Sequence, residues 1–384
     1  RASWGITGNQ DIGNYRSLST YTRGATFVSG SSISVGTSPS RIANPDLKWE
    51  STTQTDVGVD VTIFKGRLNV AFDYFLKNTH DMLIDLPLPR ATGYTSILSN
   101  IGSLQNRGVE LYLTAALVDK RHFRWNFSVN LSTVRNKVTD LGDVKEILTG
   151  NASNIGNTAI IAEGKPAFAY YGYKVTGIFR TKEDVAASSQ PNSKPGFPIY
   201  DDLNKDGQIN ASDQQIIGDP YPDFTYGWQN SFEYKRFSFS FLLQGQQGGE
   251  TFNGNIMESM YPSNYRRNML TATVSDRWTE NNPDGKWPSG TEPTSYGGGK
   301  VNTLALQNAS YLRLKYAQLA YNLPVNKKHI SAASVYISGQ NIFTLSDYIG
   351  YDPEANTFGN SSARVDLNTY PPARTWSVGL NLSF

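Results

Sequence analysis

The chain has 384 residues, a formal net charge of +2, 18% charged and 12% aromatic residues, and no cysteine. Near-neutral charge without any run of Lys and Arg argues against a nucleic-acid partner, and the lack of cysteine removes disulfides, thiolate nucleophiles and zinc-thiolate sites together. No apolar run reaches the roughly 18 residues of a membrane-spanning helix, and the opening RASWGITGNQ lacks the regions of a signal peptide, so the chain is expected to start within a longer protein.

In chain order, TDVGVDVTIF runs through Lys65 and Gly66 into RLNVAFDYFLKN, which reads as two alternating strands joined by a tight turn. GVELYLTAAL and RWNFSVNLST follow. In the latter, Trp125, Phe127, Val129 and Leu131 fall on one face and Asn126, Ser128, Asn130 and Ser132 on the other. WQNSFEYK reverses at Lys235 and Arg236 into RFSFSFLLQ, and RTWSVGLNLSF alternates without exception from Trp376 to Phe384. A helix would need spacings of three and four, which these segments lack.

Between the hairpins lie long connections rich in Gly, Asn, Ser, Pro and Tyr, at Asp81 to Ser103, Leu141 to Asp223 and Gly248 to Ser310. Short turns on one side and long loops on the other is the pattern of an outer-membrane β-barrel, with the turns periplasmic and the loops extracellular. The expected fold is therefore an all-β, transmembrane antiparallel barrel wall of roughly ten strands. Aromatics near strand ends, at Trp125, Tyr226, Trp228, Phe237 and Trp376, suit interfacial girdles. A soluble β-sandwich that binds glycans is the alternative on pattern alone.

Several words in this sequence resemble the SusC-like branch of TonB-dependent outer-membrane transporters. They are RASWGITGNQDIGNY, NPDLKWE (44–50), NIGSLQNRGVEL (100–111), YYGYKVTGIF (170–179), RWTENNPDGKWP (277–288), YLRLKYAQLAYNLP (311–324) and SGQNIFTLSDYIGYDPE (338–354), in family order across nearly the whole chain. The resemblance implies that residues 1–384 are the C-terminal portion of one barrel domain of 22 strands, with no counterpart here of the family's plug domain and TonB box. It further implies import of oligosaccharides or peptides in the outer membrane of a Gram-negative bacterium, without covalent chemistry. The implied partners are a SusD-like surface lipoprotein as lid, TonB acting through the upstream part, the outer-membrane assembly machinery, and lipid and lipopolysaccharide. A SusC-like barrel that scaffolds a larger complex without transporting is the other reading.

DDLNKDGQINASD fits D-x-N-x-D-G-x-I-x-x-x-D, a calcium-loop spacing with Asp202, Asn204, Asp206, the Gln208 carbonyl and Asp213 as oxygen ligands and Gly207 at the turn. Asp213 stands where an EF-hand has Glu, a variant similar to dockerin-type modules. An Asx-turn-rich loop without metal fits the same residues. A structural calcium is thus the one candidate cofactor, and no organic cofactor is expected. Tyr261, Tyr265, Trp278, Trp287 and Tyr296 in the loop from Gly248 to Ser310 are candidates for stacking on sugar rings, with loop packing an equal alternative. His80, His122 and His329 are scattered, so no catalytic triad or metal triad is expected. Asp352 and Glu354 form a carboxylate pair that reads as a structural turn rather than a glycosidase site. Phe384 resembles the terminal aromatic signal read by the assembly machinery, and equally suits the girdle.

Overall fold

The structure is a computed structural model that describes residues 1–9, 13–152, 155–262, 268–292, 300–325, 330–359 and 363–384. Ten long strands form one antiparallel sheet in which all neighbours along the sheet follow each other in the chain. We number these wall strands β1 (Ala2–Asn9), β2 (Glu50–Ile63), β3 (Leu68–His80), β4 (Ser103–Lys120) and β5 (Phe123–Asp140). They continue with β6 (Phe224–Tyr234), β7 (Phe237–Gln247), β8 (Tyr311–Asn322), β9 (Ala332–Leu345) and β10 (Thr375–Ser383). The expected hairpins at Lys65 and at Lys235 are present, with their turn residues at positive φ: Phe64, Lys65 and Gly66 in one and Lys235 in the other.

Register explains why the alternating sequence makes two unlike faces. Pairing aligns Val61, Val70, Leu113, Val129, Trp228, Leu243, Leu314 and Phe343 in one row across eight strands. One residue along, the opposite face aligns Thr62, Asn69, Thr114, Ser128 and Gln229, where Thr62 donates to Asn69 and Asn69 to Thr114. Because the side-chain period is two, a slip of one residue would exchange the faces. The apolar face stays uncovered: Val59, Phe72, Trp228, Phe239, Ile337 and Val378 are all exposed. A sandwich would lay a second sheet on that face; among the described residues none does, and the sandwich reading gives way to a single-layer wall. Such a surface is stable against hydrocarbon rather than water.

Burial concentrates instead at the long-loop end. The connections after β3, β5, β7 and β9 carry small sheets and short helices of their own. Apolar residues of the last three meet in one cluster that includes Tyr170, Phe252, Ile256, Met257, Met260, Tyr261, Trp287 and Val365. A second cluster seats Val138 and Leu141, at the end of β5, against Ile84, Ile147 and Ile161. The long loops are thus a packed cap and not loose tethers. The connection between β1 and β2 differs: it is a two-stranded ribbon, Thr20–Ser29 with Ser32–Arg41, whose Val28, Ile33 and Val35 stand in the open.

The two faces predict opposite responses to a charge. Val129→Arg, on the apolar face, should cost about 2–4 kcal/mol and deplete folded protein in the membrane fraction, while Ser128→Arg should be close to neutral. Heat-modifiable gel mobility of the full-length protein reads this, and equal losses in the two variants would overturn the facial assignment.

Candidate functional site

At the long-loop end the cap is fastened to the wall by one buried cation. Arg313, the third residue of β8, is only 3% exposed. Its Nη1 donates to Glu354 Oε2 and its Nη2 to Asp352 Oδ1, both at 2.6 Å, and its Nε donates to Thr344 Oγ1 on β9 at 2.9 Å. The guanidinium carbon lies 5.1 Å from the centre of the Tyr311 ring. A planar fork that meets two carboxylates and a hydroxyl gives each of its three nitrogens a partner. The carboxylates of the YDPE word are therefore occupied by Arg313, and the loop after β9 is clamped to the strand before it.

Tyr170 performs a similar service within the cap, its hydroxyl donating to the Arg364 carbonyl at 2.5 Å and reaching the Glu250 carbonyl at 3.1 Å. Burial pushes its hydroxyl pKa well above the usual tyrosine value. Arg277 gathers the main-chain carbonyls of Ser259, Thr273 and Ser289. Arg180 does the same for Pro283 and Gly285, so RWTENNPDGKWP is a word about backbone capture.

The five aromatic candidates have different fates. Tyr261 is fully buried and Trp287 is 4% exposed, and both belong to the cap's core. Trp278 is half-buried and lies so close to Gly196 that a Cβ there would stand 2.4 Å from its ring. Tyr265 and Tyr296 lie outside the described residues. The aromatic rings that stand open are others: Tyr351, 79% exposed, and Tyr370, 90% exposed. They line a cleft of about 460 Å³ whose other walls include Asn253, Asn255, Asn268, Asn368, Thr369 and Glu258 together with the apolar Leu270, Ile349 and Pro371. The amides are pre-set, since Asn255 Nδ2 donates to Asp366 Oδ1 and its Oδ1 accepts from the Asn368 main chain. Two aromatic rings beside a row of amides, with no cation among the described lining residues, offer stacking and hydrogen bonding to a ligand. The sequence does carry a signal for Tyr370, the Tyr-Pro-Pro run at 370–372, whose stiff extended backbone holds the ring outward.

The loop at 201–213 folds on itself. Asp202 Oδ2 accepts from Gly207 N–H at 3.0 Å, Asn204 Oδ1 from Asp206 N–H at 3.0 Å, and Asp206 Oδ1 from Gln208 N–H at 2.8 Å. Lys205 and Gly207 take positive φ values of 59° and 79°, which the tight turn requires. Asp213 is fully buried and closes the loop, accepting from Leu203 N–H at 3.0 Å and from Asn210 N–H at 2.8 Å. Gln208 is exposed. One oxygen, Asp202 Oδ1, is buried without a partner. Among the described residues no three His, Asp or Glu side chains are gathered as a ready metal cage.

Beside this loop, Lys300 lies 4.4 Å from the Tyr173 ring centre and 5.5 Å from that of Tyr200, and its Nζ reaches the Ile209 carbonyl at 3.5 Å. Nearby Glu292 is fully buried, and among the described residues neither of its carboxylate oxygens has a hydrogen-bond partner. Burial pushes its pKa from 4.5 up to about 8, against the pull of Lys300. The folded state therefore favours the neutral acid, and stability is lost as pH rises from about 4.5 through about 8. Glu292→Gln should flatten that part of a stability-versus-pH curve, measured by thermal unfolding of the cap; an unchanged slope would show that Glu292 does not carry it.

The first 177 residues match the family model described as TonB dependent receptor-like, beta-barrel. Over its whole length the chain is 35% identical to TonB-dependent receptor P26 of Formosa agariphila, covering 39% of that protein. It is 29% identical to TonB-dependent receptor SusC of Bacteroides thetaiotaomicron, covering 37% of it. Among solved structures, that of the RagAB peptide transporter superposes with a TM-score of 0.81 at 27% identity, across 100% of this chain and 40% of that one. The chain thus spans about two fifths of the length of the relatives it matches.

Proposed function

We propose that this chain, similar over its whole length to SusC-like TonB-dependent receptors, serves nutrient import across the outer membrane, supplying wall strands and surface loops to a transporter of oligosaccharides or peptides. The observation that carries the reading is the pairing of an uncovered apolar wall with a packed cap at one end, into which the tyrosine and asparagine cleft opens. A wall seals the membrane and a cap selects what enters.

Residues 1–384 act in this reading as one portion of a single barrel domain. Both free edges, β1 and β10, pair with further wall strands, because an unpaired strand edge in hydrocarbon leaves every second N–H and C=O unsatisfied at several kcal/mol each. The long loops face the outside, a SusD-like lipoprotein closes over them, and TonB acts through a plug supplied elsewhere in the protein. The RagAB structures are of a peptide transporter, and kinship to them and to SusC supports a lidded importer. Binding, enclosure and energised release need no bond-making residues, and we assign no enzymatic role. The cleft binds the ligand: Tyr351→Ala with Tyr370→Ala should weaken ligand binding by the intact transporter about tenfold, with Tyr21→Ala as the unaffected control. Isothermal titration with the transported ligand tests this, and equal affinities would remove the cleft from the pathway.

The loop at 201–213 takes up a structural calcium through Asp202, Asn204, Asp206, the Gln208 carbonyl and Asp213. The buried, unpaired Asp202 Oδ1 supports this, and the exposed position of the loop suits a weak site filled at millimolar calcium. Calcium titration calorimetry on wild type and Asp206→Ala should show heat only for the former; identical traces would leave an Asx-turn loop without metal.

A further inference from the structure

The short-turn end of the wall carries a charge pattern that the import reading leaves unused. Three short connections and the strand ends beside them, residues 64–67, 119–124 and 233–236, hold seven Lys or Arg and two Asp or Glu, a net of +5. The other residues hold 28 Lys or Arg and 31 Asp or Glu, a net of −3. A chain that is almost neutral overall is therefore strongly polarised along the strand direction. Lys327 and Lys328 of a fourth short connection lie outside the described residues.

The turns form a continuous rim. The Lys235 N–H donates to the His122 carbonyl at 3.0 Å, tying the β6–β7 turn to the β4–β5 turn, and Asn322 N–H donates to the Arg236 carbonyl at 2.9 Å. Arg67 donates to the carbonyls of Ala116 and Leu117, and Arg124 pairs with Glu233, so these two cations stitch neighbouring strands. Lys65, Lys120, Arg121, Lys235 and Arg236 are different: all five are exposed and, among the described residues, none is paired with a carboxylate. Successive turns are two strands apart, so the cations recur about every 10 Å along the rim.

What adjoins the rim identifies its occupant. The outer, apolar face of the wall runs up to it, and Phe64, Tyr234 and Phe237 are exposed there. Lys235 Nζ stands 5.3 Å from the Tyr234 ring centre, and the Phe237 and Tyr321 rings are 4.8 Å apart. Aromatic rings at the edge of an apolar band, with unpaired ammonium and guanidinium groups one residue beyond, match the layering of acyl chain, interface and phosphate in a bilayer leaflet. An acidic protein would satisfy the charges but would leave the adjoining apolar band unexplained.

We infer that the short-turn rim, through Lys65, Lys120, Arg121, Lys235 and Arg236, binds the headgroups of anionic phospholipids in the leaflet it faces. The inference rests on the wall being embedded in a membrane, as proposed above. The test uses the full-length receptor in nanodiscs of phosphatidylethanolamine with phosphatidylglycerol, with retained lipid counted by native mass spectrometry. Wild type should retain phosphatidylglycerol over phosphatidylethanolamine, and Gln at all five positions should lower that retention about threefold or more. Gln at Lys145, Lys165, Lys182, Lys194 and Lys286, exposed in the cap, should leave it unchanged. The charge-conserving set Lys65→Arg, Lys120→Arg and Lys235→Arg should keep retention, which separates lost charge from faulty folding. Equal retention of both lipids by wild type, unaltered retention by the Gln set, or an equal loss from the cap variants would each overturn the inference. Ligand uptake is read separately: its loss with lipid retention intact would count against the import reading alone.

Discussion

Everything in this chain follows from the need to satisfy backbone hydrogen bonds where no water is present. A strand whose outer face meets hydrocarbon must place every N–H and C=O in a ladder, since each one left unpaired costs several kcal/mol. The ten wall strands meet this need by pairing each to the next in chain order. Long strands, two-residue alternation and tight turns are consequences of that single demand.

The same demand divides the chain into two kinds of structure. In the wall, side chains contribute little to each other's burial, and stability resides in the ladder and in the contact of Val, Leu, Phe and Trp with their surroundings. In the cap, the ordinary logic of a water-soluble domain returns: Phe252, Ile256, Met257 and Met260 are buried in a common core, and polar groups inside it are paired or strained. Arg313 is the joint between the two regimes. A guanidinium held by Asp352, Glu354 and Thr344 lets a loop that packs like a soluble protein be fixed to a strand that does not. Glu292 is the reverse case, a buried acid without a hydrogen-bond partner among the described residues, whose burial favours the neutral form.

The polarity of the wall along its strands gives the two ends different tasks. The cap end offers open tyrosines, amides and an acidic balance, while the short-turn end offers a cationic rim beside exposed aromatics. Neither property can be read from the net charge of +2, in which the two ends nearly cancel.

Period-two alternation determined the wall before any coordinates were considered, because a strand with one apolar face leaves that signature residue by residue, as in Trp376 to Phe384. Turn chemistry likewise placed the reversals at Lys65 and Lys235, and local Asx geometry made the loop at 201–213 visible. The cap was not legible in the same way. Tyr261 and Trp287 are aromatic residues in a long loop by sequence, as Tyr351 and Tyr370 are; the first pair is buried and the second open. Apart from the two prolines after Tyr370, nothing local separates them, because burial in the cap arises from contacts between connections far apart in the chain, such as Phe252 with Val365 and Tyr170 with the Arg364 carbonyl. Strand periodicity is a short-range property and survives in the sequence, whereas the packing of loops against one another is decided only when the wall has brought their ends together.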